Sequence, residues 1–476
     1  MDIIESKNRL RVERIKYKIL SFLMILVWLP SCLFSQSVTD SVSRNPRLKL
    51  DLPLLDYPYQ KYAKNTVGKG FFGSYANPSM SQSLAVSADI FSGFHYGMKH
   101  FIDKSNLTND GKLGMNVLCA GLGDYLLFFL PGGDGWLHEE YHRAVMSRHG
   151  INSFNEINLF PIGAELVSVS RIKDEDLIRF KRESSAGFVR RSAAGIEGDY
   201  MLINKLQRNN FFYNQKLLHE FLYWMVTANS IGYIFTSTMP DEVDKKTAEM
   251  NEKETTIASR DGIGFDMTAW AYDIFRPDEP YEARGVHPSG TGINRYRTTQ
   301  DLLPNELKYL KKQAVWSLVN VLSPMMLCVR SIPLGKNGLN GNFAMRHLLT
   351  SYGTAVSAQV FLKKEYLNMA FACHDYRNYK NHFPGIEAEL VDYPVQMGKF
   401  GMYVSPRVIL GAQPKEQAFM TKKADFLGLF GLRADFKISR HYFSYIDFTT
   451  KTKGWVAGNE FLDSNTSVKI GLSARF

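Results

Sequence analysis

Two periods divide this chain. Between Gly341 and Phe476, apolar and polar residues alternate with a period of two, as in strands with one apolar and one polar face. Val468, Ile470, Leu472, Ala474 and Phe476 alternate with Ser467, Lys469, Gly471, Ser473 and Arg475. Phe430, Leu432, Ala434, Phe436 and Ile438 alternate with Gly431, Arg433, Asp435 and Lys437, and two further runs begin at Val356 and Leu367. About eight strands of near ten residues fit this stretch, joined by turns such as Lys363-Lys364 and Ser439-Arg440. Upstream the apolar spacing is helical. It predicts helices over 83–101, 115–130, 134–149, 173–181 and 186–207, with long apolar helices over 211–238 and 310–329. Residues 155–170 read as a short strand pair, 241–260 as a charged linker and 277–297 as a Pro/Gly-rich loop. The expected fold class is thus α+β and multidomain. An extended leader (37–80) precedes a mostly helical domain (81–335), and an approximately eight-stranded antiparallel β-barrel (341–476) follows.

The last strand ends on Phe476 and resembles the C-terminal strand of bacterial outer-membrane β-barrels. The resemblance implies an outer-membrane-type barrel with outer-membrane lipid as a partner. Aromatics near the strand ends (Tyr352, Tyr376, Tyr379, Tyr393, Tyr403, Tyr442, Trp455) are the expected interfacial girdle. A soluble barrel or sandwich shares the alternation and stays open. At the other end, Arg9, Arg11, Arg14, Lys16 and Lys18 precede the apolar run Ile19 to Leu29 and then Ser31-Cys32-Leu33-Phe34-Ser35-Gln36. This reads as a secretory signal peptide over 1–36, cleaved after Phe34 to Ser37. Leu29-Pro30-Ser31-Cys32 leaves a lipoprotein signal as an alternative. The expected address is the cell envelope, in the outer membrane of a Gram-negative bacterium. The inner-membrane alternative needs 211–238 and 310–329 to span. His219, Glu220 and Asn229 interrupt the first and Pro324 the second, so both read as buried core helices.

Composition narrows this only slightly. At 476 residues the chain has room for two or three domains, and 22% charged with 45% hydrophobic residues is ordinary. The net charge of +10 is spread along the chain with no concentrated basic face, which argues against nucleic acid as a partner. Cys119, Cys328 and Cys373 sit in apolar surroundings without C-x-x-C spacing and read as buried small hydrophobes. A Cys119–Cys328 disulfide stays open in an oxidising compartment.

The candidate chemistry lies in Trp136-Leu137-His138-Glu139-Glu140-Tyr141-His142. On a helix His138 and His142 are one turn apart and face the same way, so two imidazoles can share one Zn²⁺. Glu139 sits beside the first, where it can take a proton from a metal-bound water. Asp134 is the expected N-cap, Leu137, Tyr141, Ala144 and Val145 the buried stripe, and Gly150 the C′ residue. Glu140 and Arg143 are expected to neutralise each other on the solvent face. The motif resembles the H-E-x-x-H zinc metallopeptidases. The charged Glu140 departs from that family's pattern, and no third His follows at the short metzincin spacing. The resemblance, gluzincin-like, implies a Glu ligand from a downstream helix.

Glu197 is the best candidate for that ligand, among the small residues Ala193, Ala194, Gly195 and Gly198, which let two helices approach closely. Asp266 and Asp273 are the other acids in reach. Asp199 is the expected partner orienting His138 or His142, and Tyr200 or His219 would stabilise the oxyanion. The expected reaction is hydrolysis of a peptide or protein substrate, with Glu139 as base and then acid. The alternative is a non-enzymatic barrel protein whose helical module binds a partner or lipid. A di-iron site would want a second Glu-x-x-His, which is missing. Oligomeric state is not legible.

Overall fold

The computed structural model describes residues 47–63, 77–158, 168–213, 215–397 and 400–476. The expected signal segment, with Cys32, lies outside these residues, as do parts of the leader and of the stretch 155–170. Nine α-helices and one large antiparallel sheet of eleven strands are present among the described residues, so the fold is α+β.

The helices are α1 (Met80–Asp103), α2 (Asn109–Phe128), α3 (Asp134–Arg148), α4 (Asp174–Glu183), α5 (Ser185–Phe212), α6 (Glu220–Thr236), α7 (Pro240–Lys253), α8 (Asp266–Phe275) and α9 (Pro304–Ser317). Some of them start on capping side chains. Ser79 and Gln82 form a capping box at α1, and Thr108 caps α2. Three expectations are corrected. The stretch 211–238 is two elements, because the chain leaves α5 after Phe212, passes Lys216 at positive φ and re-enters a helix only at Glu220. The stretch 310–329 is α9 followed by 3₁₀ turns at Leu318–Val321 and Pro324–Leu327, since Pro324 cannot continue an α-helix and instead opens the second turn. The charged linker 241–260 is largely α7, with Pro240 at its start and Asp241 and Glu242 in its first turn.

The sheet contains β1 (Lys49–Tyr57), β4 (Ile332–Pro333), β5 (Asn340–Thr350), β6 (Gly353–Lys364), β7 (Leu367–Arg377), β8 (His382–Leu390), β9 (Tyr393–Met397), β10 (Phe400–Pro414), β11 (Ala424–Lys437), β12 (Tyr442–Lys451) and β13 (Asn465–Arg475). Its order is β1-β13-β12-β11-β10-β8-β7-β6-β5-β4. Strands β8 and β9 pair with successive parts of β10, as one strand broken at Val391-Asp392. The pair expected within 155–170 is present as β2 (Phe154–Asn155) and β3 (Val169–Ser170), antiparallel. The leader is not merely extended. Its Lys49–Tyr57 segment pairs with the terminal strand β13, with a bulge near Leu54.

The sheet is curled. Lys49 on β1 reaches Asp392 between β8 and β9 at 3.2 Å, although four strands separate them in the order. Its concave side is charged and paired: Arg433 contacts Asp51 and Asp435, and Arg475 contacts Asp392. Its convex side is apolar and exposed, with Phe343, Phe371, Phe430, Leu432, Phe436, Ile446, Ile470 and Leu472 facing outward. The second half of α5 runs along the concave side, where Lys205 meets Asp51 and Arg208 meets Glu389. Two end edges of the sheet remain, and helices connect them: α1 packs on β1, α5 on β5, and α1 on α5. One hydrophobic core joins helices and sheet, including Tyr141, Ile196, Leu348, Tyr352, Leu427 and Trp455.

Two smaller expectations fail. Of the girdle aromatics, Tyr442 is exposed, whereas Tyr352, Tyr376, Tyr393, Tyr403 and Trp455 are buried. Cys328 and Cys373 are exposed rather than buried, and with Cys119 they are free thiols.

Candidate metal centre

Helix α3 is almost wholly buried, with only His138 and Arg148 outside the buried set. Gly133 is its N-cap and Asp134 its first residue, so the helix starts one position earlier than expected. A Cβ at Gly133 would lie 1.8 Å from the Leu127 carbonyl oxygen, so no capping side chain fits there. Gly150 ends the helix at φ 71, with its N–H donating to Ser147 and that of Ile151 to Met146.

His138 and His142 point their Nε2 atoms at one carboxylate oxygen, Asp266 Oδ2, at 3.1 and 3.2 Å. The three form the one group of potential metal ligands converging within 4.8 Å among the described residues. Asp266 is the first residue of α8. Both Nδ1 atoms are held from the other side. His138 Nδ1 donates to Asp199 at 3.1 Å and His142 Nδ1 to the Arg191 carbonyl at 2.6 Å. These bonds orient both rings through Nδ1 and direct each Nε2 at the same carboxylate oxygen.

Helix α5 supplies that support from one face. Arg191, Gly195 and Asp199 are spaced i, i+4, i+8 and look toward α3. Gly195 lies under His138, where a Cβ would sit 2.2 Å from Nε2. The small residues therefore do permit the close approach that the sequence suggested. Glu197 does not join the site. Two residues past Gly195 it is turned by about 200° around the helix, and it accepts from Arg190 at 2.9 Å, Trp455 Nε1 at 3.1 Å and the Gly458 N–H at 2.7 Å. It ties α5 to the loop between β12 and β13, and Asp266 stands in the place foreseen for it.

Tyr200 and His219 are also elsewhere. Tyr200 lines a cavity of about 380 Å³ on the concave side of the sheet. His219 stacks on His95 at 4.5 Å between ring centroids. Asp273 pairs with Lys181 and Arg284. A phenol at the site is that of Tyr233, whose hydroxyl accepts from the Asp266 N–H at 3.1 Å and whose ring lies 6.4 Å from that of His138. The sequence reading missed it because α6 showed only an apolar run.

The electrostatics are those of a carboxylate-rich buried pocket. Burial disfavours charge on the rings, yet Asp199 and Asp266 hold His138 above its ordinary value and Asp266 does so for His142. Asp266, despite its own burial, is held below the usual carboxylate range by the two histidines. Glu139 makes no hydrogen bond or ion pair with a described residue. Its burial, reinforced by Asp261 and Asp266 and opposed by the histidines, pushes it up to about 8. Asp261, half-buried beside Asp266, is pushed up to about 6 by desolvation while accepting from the N–H groups of Ile263 and Gly264.

Glu140 and Arg143 do pair, but inside the protein rather than on the solvent face. Arg143 Nη1 meets both Glu140 oxygens at 2.6 and 2.7 Å, and Asn155 donates to Glu140 at 2.9 Å. Removing one partner strands a buried charge. Arg143→Ala is expected to cost about 3–5 kcal/mol, read as a lowered denaturation midpoint. The double variant Glu140→Leu/Arg143→Met is expected to recover most of that loss, and equal loss in both would refute a charge-stranding origin.

No protein-family model matches this chain, and no curated protein matches it.

Proposed function

We propose that this chain is an outer-membrane-associated zinc metallopeptidase. The observation that carries the metal reading is the convergence of His138 Nε2, His142 Nε2 and Asp266 Oδ2, each imidazole anchored through its other nitrogen. Two imidazoles and a carboxylate are a donor set suited to Zn²⁺. When bound, the ion supplies Lewis acidity, polarising a carbonyl and making water easier to deprotonate.

The chain's own residues account for the rest. Glu139 lies next to His138, without a hydrogen-bond partner among the described residues and with a raised proton affinity, so it can take a proton from water and return it to the leaving amine. Tyr233, in place of Tyr200 or His219, can donate its phenolic hydrogen to the developing oxyanion, because its oxygen already accepts from the Asp266 N–H. Asp199 keeps His138 in orientation.

The outer-membrane reading rests on polarity. The sheet buries charged residues on its concave side and exposes apolar ones on its convex side, the reverse of a soluble barrel and the arrangement lipid requires. We read it as a membrane barrel of about eight strands from β5 to β13, counting β8 and β9 as one, joined by β1. Among the described residues no helix is long and apolar enough to cross a membrane.

The second reading, a non-enzymatic barrel with a structural metal, draws on the closed site: His142 is only 1% exposed and Asp266 7%. The deciding experiment is hydrolysis of an unstructured peptide library by the full protein in vesicles. Activity lost to a zinc chelator and restored by added Zn²⁺ supports the peptidase. A zinc-loaded protein without such activity would favour the structural metal.

A further inference from the structure

Three stretches of the helical half with at most one charged residue each lie side by side. Between Lys112 and Asp134 the single charged residue is Asp124, and there is none between Glu220 and Asp241 or between Lys312 and Arg330. Each run is about as long as a hydrocarbon core demands of a helix, ~17–25 residues. They pack in order: α2 on α6, α6 on α9 and on both 3₁₀ turns that follow it, and those turns on β5.

The polarity of α2 is inverted. Leu113, Val117, Leu118, Leu122, Tyr125 and Leu126 are each more than half exposed. Its buried face is Asn116, Ala120, Gly123 and Asp124, at i, i+4, i+7, i+8. Asp124 turns inward to His95, at 2.7 Å. A helix in water buries its leucines and exposes its acids. One whose outer side meets hydrocarbon does the opposite, keeping ionisable groups toward the protein interior. Because only one face of α2 is apolar, it falls short of the hydropathy of a conventional span.

The apolar surface continues beyond α2. Phe221 and Trp224 on α6, then Leu318, Leu322 and Leu327 on the 3₁₀ turns, are exposed and lead to Phe343 on β5, Val360 on β6 and Phe371 on β7. At the other end α2 packs on α1, and α1 on β1. The elements thus form a circuit from one end of the sheet through α1, α2, α6 and the 3₁₀ turns to the other. An exposed apolar surface of this extent marks a binding face, and its continuity with the convex side of the sheet selects lipid as the occupant.

We infer that α2, α6 and the turns after α9 complete the wall of the barrel, with their outer side chains in the acyl chains of the same bilayer. This rests on the membrane reading of the sheet and goes beyond it: the helical half is part of the lipid-facing wall, not a module projecting into water. The metal centre then lies behind a lipid-bounded wall.

The test is spin-label accessibility in the full chain reconstituted in phosphatidylcholine vesicles, with Cys32, Cys119, Cys328 and Cys373 replaced by Ser. Single cysteines go in at Leu118, Leu122 and Leu126 on α2, and at Ile470 and Leu472 on β13. Oxygen concentrates in hydrocarbon, whereas a neutral nickel chelate stays in water. The expected result is faster collision with oxygen than with the chelate at all five positions. Oxygen-dominated β13 labels with chelate-dominated α2 labels would overturn the inference and leave the barrel standing. Chelate-dominated labels at all five would overturn both. Labels on α2 shielded from both probes would mean that protein covers this face, and would also overturn it. A measurement without labelling guards against perturbed variants. Brominated lipid should quench fluorescence from the native protein more strongly than from Trp224→Phe, and equal quenching would count against the inference.

Discussion

Glu139→Gln is expected to abolish peptide hydrolysis while leaving zinc content and folding intact. On the proposed reading Glu139 carries the proton from water to the leaving amine, and loss of such a group lowers turnover by about 10²–10⁴-fold. The amide cannot take that proton, but it has the same shape. Stability should not fall. Glu139 is buried with no hydrogen bond to a described residue, and burial raises its proton affinity, so at neutral pH folding costs the uptake of a proton there. A neutral isostere removes that cost, so the denaturation midpoint should hold or rise, as is common when a functional group is stored at a cost to stability. Turnover equal to wild type in zinc-loaded Glu139→Gln would sink the peptidase reading.

The second large effect separates two acids that the sequence offered as alternatives. Wild type is expected to hold about one zinc per chain by elemental analysis. His142→Ala and Asp266→Ala are each expected to lose it. Glu197→Gln is expected to keep it, because that carboxylate faces Arg190, Trp455 and Gly458. Its loss should appear as instability, since it disrupts a buried network joining α5 to the sheet. Asp199→Asn should weaken zinc affinity by about 10–100-fold through the orientation of His138. Zinc retained in Asp266→Ala but lost in Glu197→Gln would reverse the assignment of the third ligand.

Much was legible in the sequence because it follows from local periodicity. Spacing of four places His138 and His142 on one side of any helix, and α3 needed only Gly150 to be ended correctly. Strict alternation announced the strands from β5 to β13. It also extended to Lys49–Tyr57, where the bulge near Leu54 and the Pro53 that precedes it hid the pattern. Helix breaks at 213–219 and 318–327 were less legible, because a continuous apolar run carries no mark of where backbone geometry changes.

The candidate third ligand belongs to a different order of information. Glu197 and Asp199 are two residues apart, and only the rotation of α5 against α3 decides which faces His138. Asp266 is remote in sequence from both histidines, so no spacing rule could join them. It reaches the site because α8 begins beside α3 and α5. What the sequence determined by itself is what a single element contains: helical and strand periods, the paired histidines with Glu139, and the alternation of the terminal sheet. What only tertiary structure decided is which faces meet: Asp266 rather than Glu197 at the histidines, the burial of the Glu140–Arg143 pair, and apolar surface outside with charge within. Those outcomes depend on the relative rotation and packing of elements far apart in the chain, which local patterns do not encode.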